Sequence, residues 1–262
     1  MDLWQAIELG VVQGLTEFLP VSSSGHLVLT EHFLGIDPPG ITFEIVLHLG
    51  TLIAVLIYFR HQLSNILSAI ARKESAASRL SGWWFVLALC VATIPAGVAG
   101  LLFKTQVEAA FSSPRAAAAF LLVTGTLLVG THFAPRKQHP LNLFRALLIG
   151  CAQAVALLPG VSRSGSTIST AILLGVTPAA GAEFSFLLSI PAILGATMLT
   201  VGEVAEGLSG SGAAIYAVGG IVAAVVGYAS LWLLFGMIKK GRFWWFGLYC
   251  LAVGIASLAL LP

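Results

Sequence analysis

Gln13-Gly-Leu-Thr-Glu-Phe-Leu-Pro-Val-Ser-Ser-Ser-Gly-His26 returns in altered form as Gln153-Ala-Val-Ala-Leu-Leu-Pro-Gly-Val-Ser-Arg-Ser-Gly-Ser166. A shift of 140 positions superposes Gln13 on Gln153, Val21 on Val161, Ser22 on Ser162, Ser24 on Ser164 and Gly25 on Gly165. In a chain of 262 residues this predicts two halves, 1–135 and 141–262, each carrying one Ser/Gly-rich loop. The copies part where chemistry could part. Glu17, Ser23 and His26 in the first stand against Leu157, Arg163 and Ser166 in the second. One loop offers acid, base and hydroxyls, and the other offers a cation.

Working outward from these loops, the chain is too apolar for a water-soluble domain. Apolar residues make up 58% and charged residues 9%, against roughly 25% charged in soluble domains. The mean hydropathy is +0.96. A helical span needs about 20 mostly apolar residues. Six stretches qualify: Ile41–Phe59, Trp83–Phe103, Ala116–Phe133, Glu183–Val201, Ala213–Gly236 and Phe243–Leu261. Lys and Arg gather in three connectors, around Arg60, Arg72, Lys73 and Arg79, around Arg136, Lys137 and Arg145, and around Lys239, Lys240 and Arg242. The positive-inside rule places these in the cytoplasm. The connector with Glu203 and Glu206, and that with Lys104, Glu108 and Arg115, fall outside, and the six spans alternate without conflict.

The two loop-bearing stretches, Leu3–Ile36 and Leu141–Gly175, do not fit as pairs of full spans. Their second arms, Leu27–Ile36 and Ile168–Gly175, are about half the length a bilayer requires. Each reads as a re-entrant hairpin, the first entering from outside and the second from inside. The expected fold is therefore an all-α polytopic membrane protein, six transmembrane helices plus two re-entrant helical hairpins in an inverted-topology repeat. In such folds broken helices meet near the midplane, around protein or water. The two loops are expected to face each other there, in a solvated cavity, with both termini outside.

Cys90, Cys151 and Cys250 sit singly in apolar stretches, without the spacing of a disulfide framework or a zinc site. They read as buried small hydrophobes. Met1-Asp-Leu-Trp-Gln lacks the basic start and cleavage pattern of a secretory signal, so no processing is expected. The net charge of +2 lies in the connectors, and no nucleic-acid partner is expected. The Trp83-Trp84 and Trp244-Trp245 pairs suit the membrane interface. Glycines in the spans suit close helix packing, which would also permit a homodimer.

The loops themselves suit an anion. Each is followed by a short helical arm, whose N-terminal amides and dipole favour negative charge. Gly25 and Gly165 allow close backbone approach, and Ser22, Ser23, Ser24, Ser162, Ser164, Ser166 and Thr167 supply hydroxyls. Two converging ends of this kind match a pyrophosphate, although serines in such turns also serve as plain helix caps. Arg163 inside a membrane hairpin is costly and needs a partner or a function. Its planar fork fits phosphate oxygens, or a structural ion pair with Glu17. Glu17 suits a general acid or base, with Gln13 one turn before it on the same face. His26 follows Ser23 by three residues, close enough along a helix for imidazole to activate the hydroxyl. Glu44 and His48 form another i, i+4 pair, suited to a proton or metal route or to a supporting role.

The two loops, with Thr42-Phe-Glu-Ile-Val-Leu-His-Leu-Gly50 and Glu183-Phe-Ser-Phe-Leu-Leu-Ser-Ile-Pro191, resemble the undecaprenyl pyrophosphate phosphatase family, the bacitracin-resistance type of bacterial membrane phosphatase. The resemblance runs along nearly the whole chain. It implies hydrolysis of a polyprenyl pyrophosphate among the lipids of the bacterial inner membrane, at a site open to the outer, periplasmic face, recycling the lipid carrier for cell-wall synthesis. On matching positions it implies Glu17, Ser23, His26 and Arg163 as active-site residues, with Ser162 and Ser164 beside the phosphate. It also implies a divalent cation, Mg²⁺ or Ca²⁺; without a dedicated ligand cage in the sequence, this ion is expected to arrive on the substrate. Gln13 stands where the family's first motif often has Glu. A Gln cannot act as a base, so Glu17 is left to act alone. Nucleophilic attack falls to Ser23, to His26 or to activated water. The competing class is an inverted-repeat transporter or flippase for undecaprenyl phosphate or another anion, which would have no use for a carboxylate beside the anion.

Overall fold

The computed structural model describes residues 1–36, 40–71, 82–134, 138–202 and 212–261. These form α1 (Leu3–Phe18), α2 (Ser23–Leu34), α3 (Ile41–Tyr58), α4 (Arg60–Ala71), α5 (Gly82–Leu102), α6 (Lys104–Phe111) and α7 (Pro114–Gly130), the last running into a 3-10 turn at Thr131–Phe133. After a connector come α8 (Leu143–Val155), α9 (Arg163–Leu173), α10 (Pro178–Leu199), α11 (Ala213–Lys239) and α12 (Trp245–Leu260). The described residues contain twelve α-helices and no strand. Arg72, Lys73, Arg79, Arg136, Lys137, Glu203 and Glu206 lie outside them.

Among the described residues, five helices are long and apolar enough to cross a membrane: Ile41–Tyr58, Gly82–Leu102, Pro114–Phe133, Pro178–Leu199 and Ala213–Lys239. The sixth expected span is the apolar but shorter Trp245–Leu260, of 16 residues. Two of the charged connectors are themselves helical. Residues Arg60–Ala71 and Lys104–Phe111 fold as α4 and α6, and neither buries any side chain. Glu183 lies inside α10 rather than opening it, because Thr177 caps the helix through the Ala180 amide and Pro178 takes the first position.

The two loop-bearing stretches are helical hairpins with arms of 16 and 12 residues, and of 13 and 11 residues. At 1.5 Å per residue even α1 extends only about 24 Å, short of a hydrocarbon core of about 30 Å. Local chemistry breaks each hairpin. Leu19 precedes Pro20 and turns extended (φ −61°, ψ 139°), because a residue before proline is pushed out of the helical region. In the second hairpin Gly160 follows Pro159 and adopts φ +94°, open to glycine at no steric cost. The outer ends are capped: Asp2 and Gln5 form a capping box on α1, and the Asn142 side chain accepts from the Arg145 amide on α8.

Each hairpin leans on a helix from the other part of the chain. Helix α1 packs along α11, and α8 packs along α5. Small residues set both contacts. A Cβ on Gly10 would sit 2.7 Å from the Gly219 carbonyl oxygen, and one on Gly150 would collide with the Ala92 backbone. Between α7 and α12, Gly125 and Gly247 play the same part. Close backbone approach of this kind replaces the hydrophobic drive that apolar surroundings remove, as the glycine content suggested. Phe18, Phe59 and Phe186, all fully buried, pack together at the end of α1.

The cysteines differ from expectation. Only Cys250 is buried, whereas Cys90 on α5 and Cys151 on α8 are exposed. Both helices are apolar on their outer faces, where a thiol behaves as another small hydrophobe.

Candidate active site

The tips of the two hairpins touch. Ser22 Oγ accepts from the Gly25 amide of its own loop at 3.3 Å and from the Gly160 amide of the other at 3.1 Å. Among the described residues Ser22 is the only non-glycine with positive φ, at +72°. These two amide bonds over-determine its position and hold it there. In return Ser164 Oγ donates to the Leu19 carbonyl at 3.4 Å. A Cβ on Gly25 would sit 2.7 Å from the Gly160 Cα, and one on Gly165 3.3 Å from the Pro20 carbonyl. Thr124 on α7 clamps the second tip, donating to the Gly160 carbonyl at 2.8 Å and accepting from the Ser162 amide at 2.9 Å.

This geometry sorts the predicted hydroxyls. Ser22 and Ser162 are helix N-caps, each accepting from the amide three residues on, and the two glycines serve the loop-to-loop contact. Ser24 and Ser164 hydroxyls lie 3.3 Å from those caps. Thr167 donates to the Arg163 carbonyl and meets the Ser185 hydroxyl at 2.6 Å, fully buried. The Ser166 amide donates to the Ser162 carbonyl, and its side chain is buried. Ser23 is half-buried, and its hydroxyl reaches a charged side chain on α1.

That hydroxyl donates to Glu17 Oε2 at 2.6 Å. Glu17 stands at the end of α1, 7% exposed, and is the node of the site. Its Oε2 also accepts from Gln13 Nε2 at 3.1 Å, and its Oε1 accepts from Arg163 Nη2 at 2.6 Å. Arg163 completes its fork by donating to the Ser185 carbonyl at 3.3 Å. Of the two readings of Arg163, the ion pair is the one seen: the guanidinium rests on Glu17. The second hairpin kept the amide of its copy but not the acid. Leu157 stands where Glu17 does in the first copy, and Gln153, the counterpart of Gln13, has no protein partner for either amide atom.

His26 does not meet Ser23. Its Nδ1 donates to the Ser22 carbonyl at 2.9 Å, and in the neutral ring its Nε2 accepts from the Tyr249 hydroxyl at 3.0 Å, the two rings stacked with centroids 5.6 Å apart. A helical residue's side chain lies over the preceding turn, which carries His26 back onto its cap residue, and the hydrogen-bonded reach of Ser23 is toward α1. Tyr249 is a partner that sequence reasoning missed, 223 positions from His26. His48, seen only as half of a pair with Glu44, sends Nε2 to within 3.8 Å of Glu17 Oε2. Thr124 and Ser185 were not foreseen either; polar residues inside apolar spans were the available signal.

The family described as bacitracin resistance protein BacA matches residues 6–256. Among curated relatives, the undecaprenyl-diphosphatase of Rubrobacter xylanophilus is 42% identical over 271 residues, with both chains covered completely. That of Syntrophotalea carbinolica is 41% identical over 258 residues, covering 97% of each chain, and that of Salinibacter ruber 36% identical over 270 residues, covering each in full. The chain belongs to the BacA family. As a BacA member of all-helical build with several apolar helices, it is a multi-pass membrane protein. The matched BacA region takes in both hairpin tips, Glu17 and Arg163, and the partners that only the fold brings to them, His48 and Tyr249.

A resident metal fits this BacA site poorly. Both Glu17 oxygens are engaged, and among the described residues no three His, Cys, Asp or Glu side chains cluster to hold an ion.

Proposed function

We propose that this protein is an undecaprenyl-diphosphatase, hydrolysing undecaprenyl pyrophosphate to undecaprenyl phosphate and inorganic phosphate and so recycling the lipid carrier of cell-wall synthesis, with bacitracin resistance as its consequence. The observation that carries the reading is the Ser23 hydroxyl held 2.6 Å from Glu17 Oε2 while Arg163 holds the other carboxylate oxygen. A nucleophile, its base and a phosphate-seeking cation stand on one carboxylate, at the joint N-termini of α2 and α9.

The pyrophosphate draws Arg163 off Glu17 onto its terminal phosphate; a divalent cation would be brought by the substrate rather than held by this chain's residues, and would offset phosphate charge there. Bidentate guanidinium contacts and the N-terminal amides of α2 and α9 then offset the charge that builds on the transferring oxygens. Ser23 Oγ attacks the terminal phosphorus as Glu17 takes its proton. The phosphorus–bridging-oxygen bond breaks, and undecaprenyl phosphate leaves with the electron pair. Once Glu17 has given up that proton, water attacks phosphoserine, passing one proton to the Glu17 carboxylate, which returns it to Ser23 Oγ as the phosphorus–Oγ bond breaks and inorganic phosphate departs. His26, fixed between Ser22 and Tyr249, orients the α2 turn that carries Ser23.

In the membrane this reading sets six spans and two re-entrant hairpins as an inverted repeat of 1–135 and 141–262, both termini outside, with the site open to the outer face of the inner membrane. The crossed packing of α1 on α11 and α8 on α5 supports it. Membrane-impermeant thiol labelling of Asp2→Cys from the outside tests the orientation. A transporter built on the same meeting hairpins has no use for the Ser23–Glu17 hydrogen bond, and that contact favours hydrolysis.

The test is phosphate release from undecaprenyl pyrophosphate by detergent-purified protein with Mg²⁺ or Ca²⁺, against Ser23→Ala and Arg163→Ala. Release by the wild type, lost in both variants, is expected. No release from folded wild type with either cation would overturn the reading.

A further inference from the structure

Atom balance exposes a gap in the chemistry at Glu17. The first half-reaction leaves the Ser23 proton on the carboxyl. Where Glu17 is the base of the second half as well, its carboxylate must be empty to take the proton of the attacking water. Between the two, one proton has to leave Glu17, and the net hydrolysis of a pyrophosphate ester near neutral pH releases about one proton. Glu17 is 7% exposed, and its neighbours cannot accept that proton. Gln13 and Arg163 are donors toward it, and Ser23 is by then phosphorylated.

One neighbour can. His48 stands on α3 with Nε2 3.8 Å from Glu17 Oε2. Its Nδ1 donates to the Glu44 carbonyl at 2.8 Å, so in the neutral ring Nδ1 carries the hydrogen and the Nε2 lone pair is left toward Glu17. At 3.8 Å the two side chains leave no room for an intervening water. Catalytic hydrogen bonds are commonly long before substrate arrives. His48 is also 33% exposed where Glu17 is nearly sealed, which makes it the more accessible of the two. We propose that His48 is the proton exit of the site: it takes the Ser23 proton from Glu17 between the two half-reactions and passes it to solvent. The proposal rests on the phosphatase reading above and adds to it a positioning and relay residue that does not touch the substrate.

The charged and titratable surroundings of His48 suit the role. Glu17 on α1 faces Nε2, and Glu44 lies one turn away on α3 itself, within electrostatic reach of Glu31 on α2. Those two carboxyls continue the line of ionisable groups toward the start of α3. Arg163 on α9 lies across Glu17 from His48. Helix α11 brings Tyr216 to Phe43 and Tyr228 to Tyr58, at opposite ends of α3. Helix α10 meets α3 through Phe186 against Phe59, with Glu183 its one ionisable residue, and α4 adds Arg60 and His61 beyond the far end of α3.

The experiment is the pH profile of kcat and KM for undecaprenyl pyrophosphate hydrolysis by wild type, His48→Gln and His48→Ala. Gln can still donate to Glu17 and fill the space, but it cannot carry a proton. For His48→Gln the expected result is a kcat lower by about 10- to 100-fold, KM within twofold, and loss of the wild type's acid-limb ionisation. Free imidazole is expected to restore part of the activity of His48→Ala. His48→Gln with wild-type kcat and profile overturns the proposal. So does a uniform loss across pH with the acid limb kept, which would mark a purely structural histidine. An active wild type beside an unaffected His48→Gln removes the relay alone; an inactive wild type removes the phosphatase reading and the relay with it.

Discussion

Replacing Glu17 with Gln separates binding from chemistry at this site. The carboxylate and the Arg163 guanidinium are joined at 2.6 Å, and their side chains are only 7% and 17% exposed. Two unit charges about 4 Å apart at an effective dielectric near 20 attract by about 4 kcal/mol. Removing one partner of such a pair strands the other, at a measured cost of about 3–5 kcal/mol. The Gln amide oxygen still accepts from Arg163, so the loss is expected at the lower end, about 3 kcal/mol, visible as a lower melting temperature in detergent. Activity behaves differently. Ser23 loses its base, and kcat falls by about 100- to 10,000-fold. Arg163, no longer held by a carboxylate, is freer to meet the pyrophosphate, so KM stays level or drops. Steady-state phosphate release, with melting measured on the same preparation, reads both effects. A Glu17→Gln enzyme within threefold of wild-type kcat would refute the base assignment. A rise in KM at unchanged kcat would refute it too, leaving Glu17 a structural counter-ion.

Three further outcomes are expected. Ser23→Ala abolishes turnover while melting as the wild type does, and acid quenching of wild type during turnover traps phosphate on Ser23; label on His26 instead, or none, would move the nucleophile. Gly160→Ala is destabilised by about 2 kcal/mol or more, because alanine resists positive φ and its Cβ would collide with the Ala117 carbonyl and lie 2.9 Å from Phe120 Cβ; Gly97→Ala, whose added carbon meets nothing within 4 Å, is the unaffected control in the same melting assay. Tyr249→Phe removes the hydroxyl that fixes His26 Nε2, a contact worth about 1 kcal/mol, and kcat falls by about fivefold; an unchanged kcat would make the Tyr249 contact incidental.

Composition and repetition made the helical membrane fold and the two hairpins legible. Both are matters of length and pattern: arms of 11 to 16 residues stand on either side of breaks around Pro20 and Pro159. Glu17 and Arg163 stood out for a physical reason as well, since a charge inside an apolar segment is too costly to be idle. Helices α4 and α6 were not legible, because a short amphipathic stretch between spans carries the same charges whether it is coiled or helical.

What only the tertiary structure decided is which groups meet. The spacing of Ser23 and His26 along one helix suggested a serine and its base, yet Ser23 turns to Glu17 on α1 and His26 turns to Tyr249 on α12. Ser22 and Ser162, alike in sequence to Ser23, are caps. His48 belongs to the site only because α3 runs past the end of α1. Periodicity and charge report the local chain and its solvent, which is how the sequence by itself determined the membrane, the hairpins and the costly ions. Hydrogen bonds between residues 146 or 223 positions apart depend on how the helices cross, and that crossing is set by glycine contacts spread over the whole bundle.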